Sequence, residues 1–271
     1  MNEENFKLFW YWINERHKIY LKRQAGALKP WTEDKVLQTF KFTNAFRELD
    51  TGTVWLRENF REPHAEEGPL LIANTAFYRM FNWIPTAEAM GWCKEWSTEV
   101  FEERIKGLSQ TFTNCHMTHG DTGEEKWFSN AKTIEKIFEE KDRLFSEMRR
   151  VKTLQYAFEL MKEFHLIGPF ISYEIVTDLR HTVVLEDATD INSWANTGPG
   201  AKRGLKRIFP EIGNREYLDH MIWLLRESSK NLHPHVPKLE LRDIEHSLCE
   251  FDKWARAFFG EGRPRNYYQG A

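Results

Sequence analysis

Arg47 and Asp50 stand three residues apart in the run FKFTNAFRELD, and Asn44 precedes the arginine by three. At helical spacing Phe42, Ala45, Phe46 and Leu49 form an apolar face, with Thr43, Arg47 and Asp50 in a strip beside it and Asn44 further round. A guanidinium facing a carboxylate is either a structural ion pair or an oriented pair in a pocket, and residue type leaves both open. A second group lies near the N-terminus. Arg16 and Arg23, a heptad apart, border an apolar face made of Phe6, Phe9, Trp10, Ile13 and Tyr20, with His17 in its midst. A lone histidine there ordinarily satisfies itself within the core, whereas long cations normally point away from one. Third, Glu174, Asp178 and His181 follow one another at i, i+4, i+7 among Ile, Val and Leu, and buried carboxylates need partners or a chemical task. Fourth, Glu250 and Lys253 share a polar side with His246 and Cys249, opposite Leu248, Phe251, Ala255 and Phe258. Carboxylates, arginines, histidines and an amide suit general acid–base work and anion stabilisation.

A different chemistry is written in TDINSWANTGPGAKRGLKRIFP, residues 189–210. Asp190 predicts an N-cap for a short helix over 191–196. Gly198-Pro199-Gly200 predicts a tight turn, because glycine reaches backbone angles that other residues resist. A second helix over about 201–209 then carries Lys202, Arg203, Lys206 and Arg207 in its first turns, with no acid among them. Free N–H groups, the helix dipole and these cations make a phosphate site, with Gly198, Gly200, Lys202 and Arg203 as its DNA-binding candidates. The competing reading is a corner with a solvated basic face. The pattern resembles the helix-hairpin-helix of base-excision glycosylases. That resemblance implies a hairpin gripping one DNA strand while a flipped nucleotide enters a pocket between two helical lobes.

The elements that must position these groups are helical throughout. Periodicity predicts helices over 5–23, 40–50, 70–83, 86–92, 95–108, 133–150, 154–164, 168–182, 216–229 and 241–259, and Thr32 reads as the N-cap of another. Strand signals are almost absent, so the fold class is all-α: one domain over 1–271, with two lobes of about 1–150 and 151–271. The 271 residues carry a formal charge of −3, so any nucleic-acid contact must come from a local patch. Eleven Trp and 20 Phe can fill a large core and leave surplus rings for stacking on bases. Cys93, Cys115 and Cys249 form no CxxC pair, which points to a reducing cytoplasm and neither a disulfide framework nor a zinc site. His116, His119 and Asp121 share a loop whose spacing fits no established metal motif, so no metal centre is expected. No signal peptide or apolar run of about 20 residues is seen, and no membrane partner is expected. The tail from Gly260 to Tyr268 reads as a flexible basic–aromatic segment.

A P-loop is missing, since GPGAKRG has neither the spacing nor the preceding strand, and GxGxxG, GxSxG, HExxH and the deaminase zinc signature are missing too. The segments YWINERHKIYLKRQAG, PWTEDKVLQTFKFTNAFRELD, FYRMFN, GPFISYEIVTDLRHT, NTGPGAKRGLKRIF and DIEHSLCEFDKWAR, in this order, resemble the viral DNA-hypermodification family. That family comprises α-glutamyl/putrescinyl thymine pyrophosphorylases, or amino acid:DNA transferases, related to the helical domain of 5-hydroxymethyl-deoxyuridine DNA kinases. The resemblance implies a glycosylase-like helical fold, a viral protein in the host cytoplasm, and double-stranded DNA carrying a modified uracil as partner. It implies attack by an amino acid or polyamine on 5-(pyrophosphoryloxymethyl)uracil, with loss of pyrophosphate and no tightly bound cofactor beyond an assisting Mg²⁺. On that reading Arg16, Arg23 and Arg47 stabilise pyrophosphate with Lys253, and Asn44 reads the uracil edge. Asp178, Asp50, Glu250 and His17, in falling order, serve as base. Two rivals stay open: a non-catalytic DNA-binding module that recruits a kinase or transferase, and a glycosylase using Lys206 and Asp219.

Overall fold

The computed structural model describes residues 1–113, 118–264 and 266–268. These residues are all-α, as expected, and the only strand-like feature among them is a single antiparallel bridge between Phe40 and Tyr267. The helices are α1 (Glu3–Gln24), α2 (Lys35–Thr39), α3 (Thr51–Leu56), α4 (Gly68–Phe81), α5 (Ile84–Met90), α6 (Thr98–Ile105), α7 (Lys126–Val151), α8 (Leu154–Met161), α9 (Pro169–Leu179), α10 (Pro199–Ile208), α11 (Tyr217–Asn231) and α12 (Leu241–Phe258). Their starts are chemically explicit. Asn2, Asp34, Ser97 and Thr153 accept backbone N–H groups at the heads of α1, α2, α6 and α8, and Glu240 and Asp243 form a capping box on α12. Proline opens α4, α5, α9 and α10, where its missing N–H costs nothing.

The chain divides into two compact units. One comprises residues 1–50 and 191–271, the other residues 51–190. The division falls at Asp50 and Asp190, where the sequence reading places one boundary near 150.

In the first unit α10 lies against α12, and α1, α2 and α11 pack around that pair. Glycine permits the close approach. A Cβ on Gly200 would collide with Cys249 Sγ, and one on Gly204 would collide with the Leu248 carbonyl. Phe9, Trp12 and Ile13 of α1, Leu205 and Ile208 of α10, and Leu248, Phe251 and Trp254 of α12 are fully buried. Together they bury enough apolar surface to hold a helix as short as α10.

The second unit is built on α4, which packs on α7 and α9. Every residue of α4 from Leu71 to Phe81 is buried, so its polar members must find partners. Asn74 does so by exchanging two hydrogen bonds with the Cys93 backbone, at 2.8 and 2.9 Å. The long α7 has the charged solvent face expected, laced by pairs such as Lys136–Glu139 and Arg143–Glu147, and buries Ile134, Ile137, Leu144 and Met148 on the other side.

Several expectations need correction. No α-helix forms over 40–50; that stretch is extended, with one 3-10 turn at Arg47–Leu49. Its backbone groups are claimed by partners a helix would not offer: Lys41 N donates to Asn266 O and Thr43 N to Glu250, both distant in sequence, and Asn44 N to the Asp50 side chain. A helix there would forfeit all three. Nor does 191–196 form a helix. Its expected cap, Asp190, instead accepts from Leu154 N and Gln155 N at the head of α8, and Asn192 accepts from Leu241 N at the head of α12. Asp34, not Thr32, caps α2. The tail is tied down, with Tyr268 N donating to Thr39 O. No helix among the described residues is long and apolar enough to cross a membrane.

Candidate active site

Arg16 is delivered by the buried face of α1, with a relative exposure of 3%. Its Nε donates to Thr43 O (2.9 Å) and its NH2 to Phe42 O (3.2 Å), so the guanidinium plane is fixed by the extended backbone beneath it. Thr43 is the hinge of the arrangement. Its N–H donates to Glu250 Oε2 (3.1 Å), and its hydroxyl lies 2.7 Å from His246 Nε2. Glu250 also holds Lys253 Nζ at 2.6 Å, and that ammonium sits 4.9 Å from the Phe42 ring centre. Three elements thus converge: α1, the 40–50 segment and α12. Burial lowers the Arg16 pKa, and Tyr268 and the Asp50 and Glu250 carboxylates pull the other way.

One residue along, Asn44 is locked through its amide nitrogen, which donates to Leu49 O (2.7 Å) and Asp50 Oδ1 (3.0 Å). Asp50 also receives the Asn44 N–H (2.7 Å), while its Oδ2 pairs with Arg47 NH1 at 3.0 Å. Burial raises the Asp50 pKa, against the pull of Arg47 and the Asn44 N–H, so this carboxylate is more basic than an exposed one. Two atoms of the set, Arg16 NH1 and Asn44 Oδ1, are buried with no hydrogen-bond partner. Each such group costs about 1–3 kcal/mol in a folded protein. One is an obligatory donor. The other is an acceptor, because its amide nitrogen is already committed.

His17 is buried beside Phe46 and stacks with His235 at 6.3 Å between ring centres. Asn14, one turn before it, anchors the loop that brings His235 in, bonding Asn231 O and His233 N. Burial and the His235 charge lower the His17 pKa, which keeps the imidazole neutral. Arg23 lies over the Trp31 ring.

The second unit has its own buried polar set. Asp178 takes Arg79 through both carboxylate oxygens, and Arg61 NH1 donates to the Asp178 carbonyl at 3.2 Å and lies 3.9 Å from its carboxylate. Arg79 NH2 also donates to Thr53 Oγ1 (2.9 Å), and NH1 to Asn82 Oδ1 (3.1 Å). Desolvation works against the Arg79 charge, yet Asp178 and Glu174 outweigh it and raise its pKa. Arg61 and Arg79 escaped the sequence reading, although an arginine inside the apolar run LLIANTAFYRMF is a legible sign of a buried ion pair.

The hairpin residues are placed differently from expectation. Gly198 has φ −66, which any residue adopts, and its N–H faces Glu245 Oε1 at 3.3 Å. Glu245 in turn pairs with Arg242 at 3.0 Å. Gly200 serves helix packing. Arg203 and Arg207 both bond Asp252, a buried acid on α12 that the local sequence did not reveal. Lys202 and Lys206 are exposed. Of the histidine loop, His116 lies outside the described residues, and Asp121 bonds His165 at 2.7 Å. Among the described residues no group of three or more His, Cys, Asp or Glu side chains could hold a metal ion.

The described residues are thus all-α with buried arginine–carboxylate–amide sets, and the sequence carries no P-loop. A family model described as "5-hmdU DNA kinase, helical domain" matches residues 3–263, and the chain belongs to that family. A 5-hmdU DNA kinase of Bacillus phage SP10 is 27% identical over 283 residues, which cover 90% of this chain and 44% of that protein. The chain therefore spans less than half the length of this relative. No solved structure matches. These findings bear out the resemblance to the viral thymine-hypermodification family.

Proposed function

We propose that the chain modifies DNA by transferring an amino acid or polyamine onto 5-(pyrophosphoryloxymethyl)uracil. The observation that carries this reading is the pair of buried atoms without partners, Arg16 NH1 and Asn44 Oδ1. A donor and an acceptor, each oriented by its own side chain's other bonds, match the imide edge of uracil, which offers a carbonyl oxygen and the N3–H. Family membership supports a uracil base as substrate.

In this mechanism Asn44 accepts from N3–H and Arg16 donates to the adjacent carbonyl. The amine nitrogen forms a bond to the exocyclic methylene carbon, the carbon–oxygen bond to pyrophosphate breaks, and its electron pair leaves with the pyrophosphate. The nitrogen gives up a proton to Asp50, whose raised pKa suits it to the task, with the neutral imidazole of His17 as the alternative acceptor. Arg47, Arg23 and Lys253 neutralise the departing anion, and guanidinium groups match its oxygens bidentately. Mg²⁺ would arrive with the pyrophosphate, not on a protein cage. Glu250 positions Thr43 and Lys253, and Asp178 holds the second unit together.

A second reading is favoured by the phage relative, which is a kinase. In it, these residues form the DNA-engaging helical part of a 5-hmdU kinase. The missing P-loop counts against phosphoryl transfer by these 271 residues themselves. Mass spectrometry of nucleosides separates the two. The protein is incubated with DNA carrying 5-(pyrophosphoryloxymethyl)uracil and a pool of amines, and in parallel with 5-hydroxymethyluracil DNA and ATP. An aminated nucleoside in the first reaction is expected. A phosphorylated nucleoside in the second alone would replace transfer with the kinase reading, and free base would indicate a glycosylase.

A further inference from the structure

Between α1 and α2 the chain folds back so that Trp31 is held on both sides. Its indole N–H donates to Ala27 O (2.7 Å), and its carbonyl accepts from Lys22 Nζ (2.6 Å). Tyr268, from the other end of the chain, meets it edge-on with ring centres 6.3 Å apart at 74°. Tyr268 is itself anchored, through its N–H to Thr39 O (3.0 Å) and through the pairing of Tyr267 with Phe40. Lys29 Nζ lies 5.3 Å from both ring centres, and the Arg23 guanidinium lies 5.3 Å from Trp31.

Several surface cations elsewhere meet carboxylates, as in Lys106–Glu103, Lys132–Glu124 and Arg149–Asp187. Lys22, Arg23 and Lys29 meet none among the described residues; their contacts are with rings and one carbonyl. In a protein of net charge −3, three neighbouring uncompensated cations beside two fixed rings form a local positive platform. The platform borders the buried set described above, because Tyr268 and Arg23 are both electrostatic neighbours of Arg16.

We propose that this platform binds an unpaired stretch of DNA strand, with bases stacked on Trp31 and Tyr268 and phosphates held by Lys29. Rings give sequence-tolerant contact because every base has a π-face, and the cations track the backbone. Duplex DNA satisfies only the second requirement, its bases being stacked on one another. The inference does not rest on the transfer chemistry, since unmodified DNA suffices to test it.

The test is fluorescence anisotropy of the full chain with labelled oligothymidylate, an abasic oligomer of the same length, and a duplex of the same length. Oligothymidylate is expected to bind about tenfold or more tighter than either comparison. Tyr268→Ala should weaken it about tenfold, Tyr268→Phe should not, and Lys29→Ala should flatten the salt dependence by about one unit of slope. Equal binding of the abasic oligomer would reduce the platform to a phosphate patch and overturn stacking. Equal binding of the duplex would overturn the preference for an unpaired strand. Loss in Tyr268→Phe as deep as in Tyr268→Ala, at unchanged melting temperature, would also overturn it, since the phenyl ring still stacks.

Discussion

Arg47 and Asp50 pair at 3.0 Å with side chains only 15% and 14% exposed, so the pair lies between the solvated and the sealed extremes. Its planar fork is what a lysine cannot reproduce. Arg47→Lys keeps the charge and should cut turnover on pyrophosphorylated DNA by about tenfold or more, while the melting temperature stays within a few degrees. Normal turnover would remove Arg47 from the reaction. Asp178 belongs to the other extreme: it and Arg79 are 4% and 2% exposed. Asp178→Asn leaves the Arg79 and Arg61 charges buried without their carboxylate and should cost about 3–5 kcal/mol by urea unfolding. A loss under about 1 kcal/mol would show that the arginines find other compensation. Arg47 thus tests chemistry and Asp178 tests architecture, although both read as arginine–aspartate pairs.

At the scale of elements, the GPGAKRG run illustrates how one sequence serves two purposes. Its glycines read as a turn, yet Gly200 and Gly204 sit one helical turn apart on α10 and face Cys249 and Leu248 of α12. The two contacts differ in how they can be relieved. Gly204→Ala meets backbone and should destabilise by at least about 1–3 kcal/mol with no rescue from side-chain changes. Gly200→Ala meets chiefly the Cys249 sulfur, so Cys249→Ala should restore part of its loss. A double-mutant cycle by chemical denaturation measures this, and purely additive costs would mean that the sulfur is not what Gly200 accommodates. The cations of the same helix are divided similarly. Arg203 and Arg207 both bond Asp252, although the Arg203 side chain stays 56% exposed, and Lys202 and Lys206 are left for solvent or phosphate.

For the whole molecule, the second unit is continuous in sequence and interrupts the first, whose parts are 1–50 and 191–271. Its central polar network joins Thr53, Arg61, Arg79, Asn82 and Asp178, all within residues 51–190. A fragment of residues 51–190 should therefore fold alone, giving a helical circular dichroism spectrum and a single cooperative urea transition. A spectrum without cooperative loss would mean that these residues need the flanking segments to pack. The first unit has no such independence in sequence, because Arg16 and Thr43 come from before the insertion, and Glu250 and Lys253 from after it.

What the sequence determined by itself was set by local physics. Apolar periodicity, cap residues and prolines at helix starts are short-range signals, and they located α1, α4, α7, α9, α10, α11 and α12 to within a few residues, apart from the longer miss at the start of α7. The family was legible too, through motifs spread along the chain and later matched over residues 3–263. The 40–50 stretch had equally good helical periodicity, and tertiary structure overruled it: the hydrogen bonds that straighten it come from Arg16, Glu250 and Asn266, distant in sequence. The same cause explains Asp190, drawn from its own helix start to that of α8, and Asp252, which neutralises cations that looked free in sequence. Side-chain partners for backbone groups and charges are chosen by proximity in space. Only the folded chain could decide which aspartate is clamped, which arginine is exposed, and where a donor and an acceptor are left without a partner.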